Sequence, residues 1–97
     1  MRVVLHRKVR EEVDKIMDHY EAVAGPRLAD DFYSEFFALI SRAAQDPGRF
    51  RIIERDLRRA NLKKFPYHFL FRVVGDHVRV LVVRHHRRHP SLGLKRR

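Results

Sequence analysis

The spacing of apolar residues changes period once along this chain, and that change limits what it can fold into. From Val9 to Ala44 apolar residues recur at three- and four-residue steps, whereas from Leu57 onward the period is two. The first spacing marks helices with one buried face, and the second marks strands with one buried face. Together they predict an α+β fold with helices covering one side of a sheet. Val9, Val13, Ile16/Met17 and Tyr20 predict a helix over 7–23, with Glu11, Glu12 and Asp14 placed to suit its positive end. "AGP" (24–26) ends it: Gly25 fits a C-terminal cap and Pro26 opens a second helix over 26–45, because proline is pre-set for a first helical position. That helix carries Leu28, Phe32, Phe36, Ile40 and Ala43/Ala44 on one face. The tight connection predicts an antiparallel helical hairpin. Phe32, Phe36 and Phe37 read as core rather than as a ligand pocket. "RVVLH" (2–6) reads as a short strand ahead of the helices.

"LRRANLKK", "YHFLFRVV" and "HVRVLVVR" predict three antiparallel strands over 57–84, divided by "FP" (65–66) and "GD" (75–76). Gly-Asp between β-branched runs is a two-residue hairpin signal, since glycine takes the positive φ such turns need. With that loop, Val73 faces Val78 and Arg72 faces Arg79. Short links at both turns place Ala60, Leu62, Phe69, Phe71, Val80 and Val82 on one face. The other face holds Arg59, Asn61, Lys63, His68, Leu70, Arg72, Arg79, Leu81, Val83 and His85. Two registers chosen independently converge on one apolar face, which the helical hairpin must cover. Like charges directly opposite each other are unfavourable. Either an anion or acidic partner neutralises the Arg59–Lys63–Arg72–Arg79 cluster, or the side chains splay into solvent at a loss of a few tenths of a kcal/mol.

Charge is unevenly distributed. Residues 1–48 carry 7 Lys+Arg and 9 Asp+Glu, while residues 49–97 carry 15 and 3, a net +12 in the second half. Such asymmetry points to an anionic partner for that half. A length of 97 residues suits a single domain spanning 1–97, and "SLGLKRR" (91–97) reads as a loosely held basic tail. There is no cysteine, which removes disulfides and thiolate metal sites. The opening has too short an apolar stretch for a signal peptide, and no run approaches a membrane span, so a cytoplasmic protein without membrane partners is expected.

The ordered set of features resembles a known family. "DLRRANLKKFPYHFLFRVVGDHVRVLVVRHHRRHP" (56–90) is similar to the C-terminal half of RelE/ParE-superfamily toxins of type II toxin–antitoxin systems. In that half a basic strand, an F-P-Y turn, a strand ending near R-V, a hydrophobic strand and an H-x-x-R-x-P-like tail follow one another. "IMDHYEAVAGPRLADDFYSEFFALISRAAQDPGRF" (16–50) resembles the family's helical hairpin and its P-x-x-F segment. The resemblance implies a helical hairpin on a mostly antiparallel sheet. It also implies a cognate antitoxin, acidic in its toxin-binding region. The implied action is either ribosome-dependent mRNA cleavage, as in RelE, or poisoning of DNA gyrase, as in the ParE branch.

Metal-free RNA cleavage needs a group to take the 2′-hydroxyl proton, one to protonate the leaving oxygen, and cations for the phosphorane charge. By resemblance, Lys63, Arg72 and His85 are the candidate catalytic residues of a metal-independent endoribonuclease. Histidine's ordinary pKa near 6.5 suits proton transfer. Arg59, Lys63, Arg72, Arg79, His85 and Arg88 are the candidate residues for binding nucleic acid or a protein partner. Two departures weaken the nuclease reading: no Tyr or Trp follows the last strand, and Glu54, Asp56 and Asp76 all fall off the basic face by the register above. A gyrase-directed toxin is therefore placed ahead of a nuclease, with a non-toxic basic nucleic-acid-binding module as the alternative from another class. "HHRRH" (85–89) invites a zinc reading, but Arg84, Arg87 and Arg88 surround it with no carboxylate or thiolate to offset the charge. No metal and no cofactor is expected. Tyr67 lies on the apolar face by register and reads as packing rather than base stacking.

Overall fold

The computed structural model describes residues 1–97. A short strand β1 (Arg2–Leu5) leads into helices α1 (Arg7–Ala24) and α2 (Pro26–Gln45), then a 3-10 turn at Pro47–Arg49. Four strands follow, β2 (Arg51–Glu54), β3 (Leu57–Asn61), β4 (Tyr67–Val74) and β5 (His77–His85). The sheet order is β1-β5-β4-β3-β2, antiparallel except where β1 runs parallel to β5. This is the α+β architecture expected, with one strand more than the sequence announced. No helix is long and apolar enough to cross a membrane.

The helices form as their spacing predicts, and Gly25, at φ 88, makes the sharp turn between them. The start of α1 differs from the expectation that acidic residues favour it. The first turn holds no acidic residue; it is Arg7, Lys8 and Arg10 that occupy it, so Glu11, Glu12 and Asp14 lie beyond the reach of the helix dipole. The end is capped instead by His6, whose Nδ1 accepts the Lys8 N–H at 3.1 Å. Val9, Val13 and Ile16 of α1 and Phe32, Phe36, Leu39, Ile40, Ala43 and Ala44 of α2 enter one cluster with Ala60, Leu62, Phe69, Phe71, Val78, Val80 and Val83 of the sheet side. Phe32, Phe36, Phe69 and Phe71 are fully buried, and burying each contributes about 1.5–3 kcal/mol. Tyr67 packs edge-on against Phe32 at 5.7 Å, as the register implied.

The β4–β5 hairpin has the expected register, Arg72 opposite Arg79 and Val73 opposite Val78, with Gly75 at φ 58 in its loop. Further along, the alternation breaks. Phe71 pairs with Val80 but Leu70 pairs with Val82, so Leu81 is an extra residue. A bulge of this kind inverts every later side chain. Val82 therefore shares the outer face with Leu70, whereas Val83 joins the core and His85 stands beside Tyr67, ring centroids 5.1 Å apart. Val82, Val83 and His85 are on the faces opposite to those the simple alternation assigned.

The outer face is not bare. Leu57, Leu70, Leu81 and Val82 are buried yet stand outside the cluster beneath the helices. The C-terminal segment lies over Val82, with Gly93 so close that an added Cβ would sit 2.5 Å from the Val82 Cβ. Buried Arg84 ties the segment down by donating to the Pro90 and Leu92 carbonyls, both at 2.7 Å. Residues 91–97, expected to trail loosely, are thus anchored to the sheet. β1 pairs with β5 only as far as Val80. Beyond it the Val83 N–H donates to Glu12 at 3.1 Å, and Arg96 donates to the Leu81 carbonyl at 3.1 Å and to Glu12 at 2.8 Å. Side chains here do what a further strand would do, satisfying an edge that could otherwise recruit another chain.

Candidate functional site

The outer face gathers cations because three strands each turn an arginine toward it. Arg59 of β3 lies opposite Leu70, and Arg72 of β4 opposite Arg79 of β5. Arg51 of β2 pairs with Arg59 and extends the row to the sheet edge. Arg59 is held by donating to Asn61 Oδ1 at 2.8 Å, and lines a cleft of about 350 Å³ with Arg51, Ile53 and Asn61. The Nε atoms of Arg72 and Arg79 are buried and have no hydrogen-bond partner. Buried donors without partners are unfavourable by about 1–3 kcal/mol each, so this pair is the least satisfied polar feature of the fold. Asp56 comes within 3.8 Å of Arg72, correcting the expectation that no carboxylate approaches this face. It does so because Arg55, at φ 50, turns β2 tightly back into β3.

Next to these arginines lies a histidine network that the sequence reading missed. His68 is 1% exposed. Its Nε2 accepts from Arg84 Nε–H at 2.8 Å, which leaves its proton on Nδ1, facing His86 Nδ1 at 2.9 Å. His86 must then accept through Nδ1, toward which Arg59 also points at 3.4 Å. Burial, with Arg59 and Arg84 adding to it, pushes the His68 pKa down to about 3. His86 is lowered by burial and then by Arg59 and His85, and Arg84 by burial and Arg59. The network is therefore neutral at both imidazoles and hinges on Arg84, which joins the sheet to the C-terminal segment.

The family model for the ParE toxin of type II toxin–antitoxin system, parDE, matches residues 3–90. The chain belongs to the ParE toxin family. A chain of the solved structure described as the chromosomal ParDE TA system from P. aeruginosa is similar throughout. It has a TM-score of 0.79 and 25% identity, over 88% of this chain and 95% of that one. Among curated proteins none matches.

On this ParE-family fold the six sequence-predicted site residues divide into three places. Arg59, Arg72 and Arg79 share the outer face as expected. Lys63 does not: β3 ends at Asn61, and Lys63 sits in the following loop. There Glu35 of α2 accepts the Lys63 and Lys64 N–H groups at 2.5 and 3.1 Å. His85 is turned to the helix side by the bulge at Leu81, and Arg88 lines the same cleft beside α1 as His85 does. The candidate nuclease set Lys63, Arg72 and His85 is thus dispersed over a loop and two faces of the sheet. Arg84 did carry a signal. Strict alternation would have put a cation at the next core position after Val80 and Val82, and that conflict marks the bulge.

Arg72→Ala and Arg79→Ala are expected to leave the melting temperature unchanged or slightly raised, since each removes an unpartnered donor and a cross-strand repulsion. Thermal melts at low and high salt check this. Much lower melting for both would make the arginines structural.

Proposed function

We propose that the protein is a ParE-like growth inhibitor that acts on DNA gyrase and is neutralised by a cognate antitoxin with an acidic toxin-binding region. One observation carries the choice of target: Lys63, Arg72 and His85 do not converge. General acid–base catalysis requires its groups within hydrogen-bond reach of one reacting phosphate, and a loop, an outer face and an inner face do not supply that. What the outer face does offer is Arg59, Arg72 and Arg79 on one surface, suited to docking on carboxylates, where guanidinium forks form paired charge-assisted hydrogen bonds. The antitoxin is the partner assigned to this face, and its carboxylates meet the Arg59, Arg72 and Arg79 side chains, which are only partly buried.

Expression of the chain alone should arrest bacterial growth, and co-expression of the antitoxin should relieve the arrest. Unimpaired growth with abundant soluble protein would favour a non-toxic binding module. Arg72→Ala and Arg79→Ala should each weaken antitoxin binding at least tenfold, about 1.4 kcal/mol, as measured by calorimetry. Unchanged affinity in both variants would place the antitoxin elsewhere.

A further inference from the structure

Past the point where β1 stops pairing, the edge of β5 opens into a cleft of about 350 Å³ between α1 and the C-terminal segment. It is distinct from the outer arginine face, and the toxin reading leaves it unused. Lys15 and His19 reach it from α1, Arg84 and His85 from β5, and Arg88 and Arg96 from the C-terminal segment, against the single carboxylate of Glu12. That carboxylate is already engaged, by Arg96 and by the Val83 N–H. Arg84 is likewise committed to His68, Pro90 and Leu92. Lys15, His19 and Arg88 remain exposed, and Lys15 and Arg88 are its uncommitted cations. His85 also lines the cleft, and its Nδ1 accepts the Arg87 N–H at 3.0 Å, which leaves Nε2–H as a donor. The rest of the lining is apolar, namely Ile16, Val83, Leu92 and the Tyr67 ring.

Uncommitted cations and a fixed imidazole donor suit an oxyanion, and the apolar lining suits a flat organic group attached to it. The volume falls at the small end of ligand sites, about 300–1,000 Å³. We propose that this cleft binds a nucleoside monophosphate, with the phosphate held by Lys15, His85 and Arg88 and the nucleoside against Ile16, Val83 and Leu92. Arg–phosphate and Lys–phosphate contacts are charge-assisted and supply the affinity; the apolar lining separates a nucleotide from a bare phosphate.

The test is NMR titration of the full chain with the four ribonucleoside 5′-monophosphates, the corresponding nucleosides and inorganic phosphate. At least one monophosphate is expected to saturate and to shift the ring signals of His19 and His85. Its nucleoside and inorganic phosphate should each bind at least tenfold more weakly. Lys15→Ala and Arg88→Ala change exposed side chains outside the core; each should weaken binding at least tenfold, while Arg72→Ala on the outer face should not. The proposal is overturned by the absence of saturable binding, by inorganic phosphate binding as tightly as the monophosphate, or by affinity indifferent to Lys15 and Arg88. Each outcome is independent of whether the chain poisons gyrase.

Discussion

Moving from pH 7.5 to pH 5 should lower the stability of this protein by about 2 kcal/mol through His68 alone. The folded pKa of about 3 lies below the ordinary 6.5, so on acidification the unfolded chain takes up the proton first. Stability from this group is therefore complete above pH 6.5 and declines as the pH falls toward 3, by about 1.4 kcal/mol per unit. The cause is burial first and then the nearby Arg59 and Arg84 charges, and protonating His68 at Nε2 would also set an N–H against the Arg84 Nε–H that it accepts. His86, also lowered, acts in the same direction. For a domain of this size the loss corresponds to a melting temperature roughly 8–16 °C lower. Melts across this range check it, with His68→Gln as the control. Glutamine can still accept from Arg84 but does not titrate, so its profile should be flatter. Equal pH slopes in the two proteins would remove His68 from the explanation.

Gly93→Ala should destabilise by about 3 kcal/mol and free the C-terminal segment. Two effects add. Gly93 sits at φ 85, a conformation that non-glycine residues occupy at about 1–3 kcal/mol of strain. The new Cβ would also meet Val82 Cβ at 2.5 Å, and Val82, fully buried in a paired strand, cannot move aside. The relief available is for the segment to lift, breaking the Arg84 bonds to Pro90 and Leu92 and uncovering Val82. Hydrogen exchange and limited proteolysis should show residues 90–97 opened in the variant and protected in the parent. Identical protection in both would contradict the packing of this segment.

How far the sequence could be read depended on whether a feature was repetitive or singular. The helices were legible because five or six apolar residues repeat at one spacing, and Pro26–Gln45 falls where Pro26 and "DPG" bound it. The Arg72–Arg79 pairing was legible because Gly75 fixes a two-residue loop. By contrast, one inserted residue, Leu81, sent Val82, Val83 and His85 to the faces opposite to those expected, and a period-two pattern marks such an insertion only through the unbroken apolar run Val80–Val83 and the cation Arg84 that follows it. β2 escaped notice because Arg51–Glu54 is short and exposed and its turn uses Arg55 rather than glycine or asparagine at positive φ. The arginine face was therefore half visible. Arg59, Arg72 and Arg79 were placed correctly, but His68, Arg84 and His86 act through contacts between segments distant in sequence.

The most direct test of the gyrase assignment uses purified protein, gyrase and plasmid DNA, with a ribosome and mRNA assay run in parallel. Addition of the chain should trap gyrase on cleaved plasmid and inhibit supercoiling, with mRNA left intact on the ribosome, and the antitoxin should reverse the effect. Cleaved mRNA with unaffected gyrase would contradict the gyrase assignment and return Lys63, Arg72 and His85 to the position of catalytic candidates.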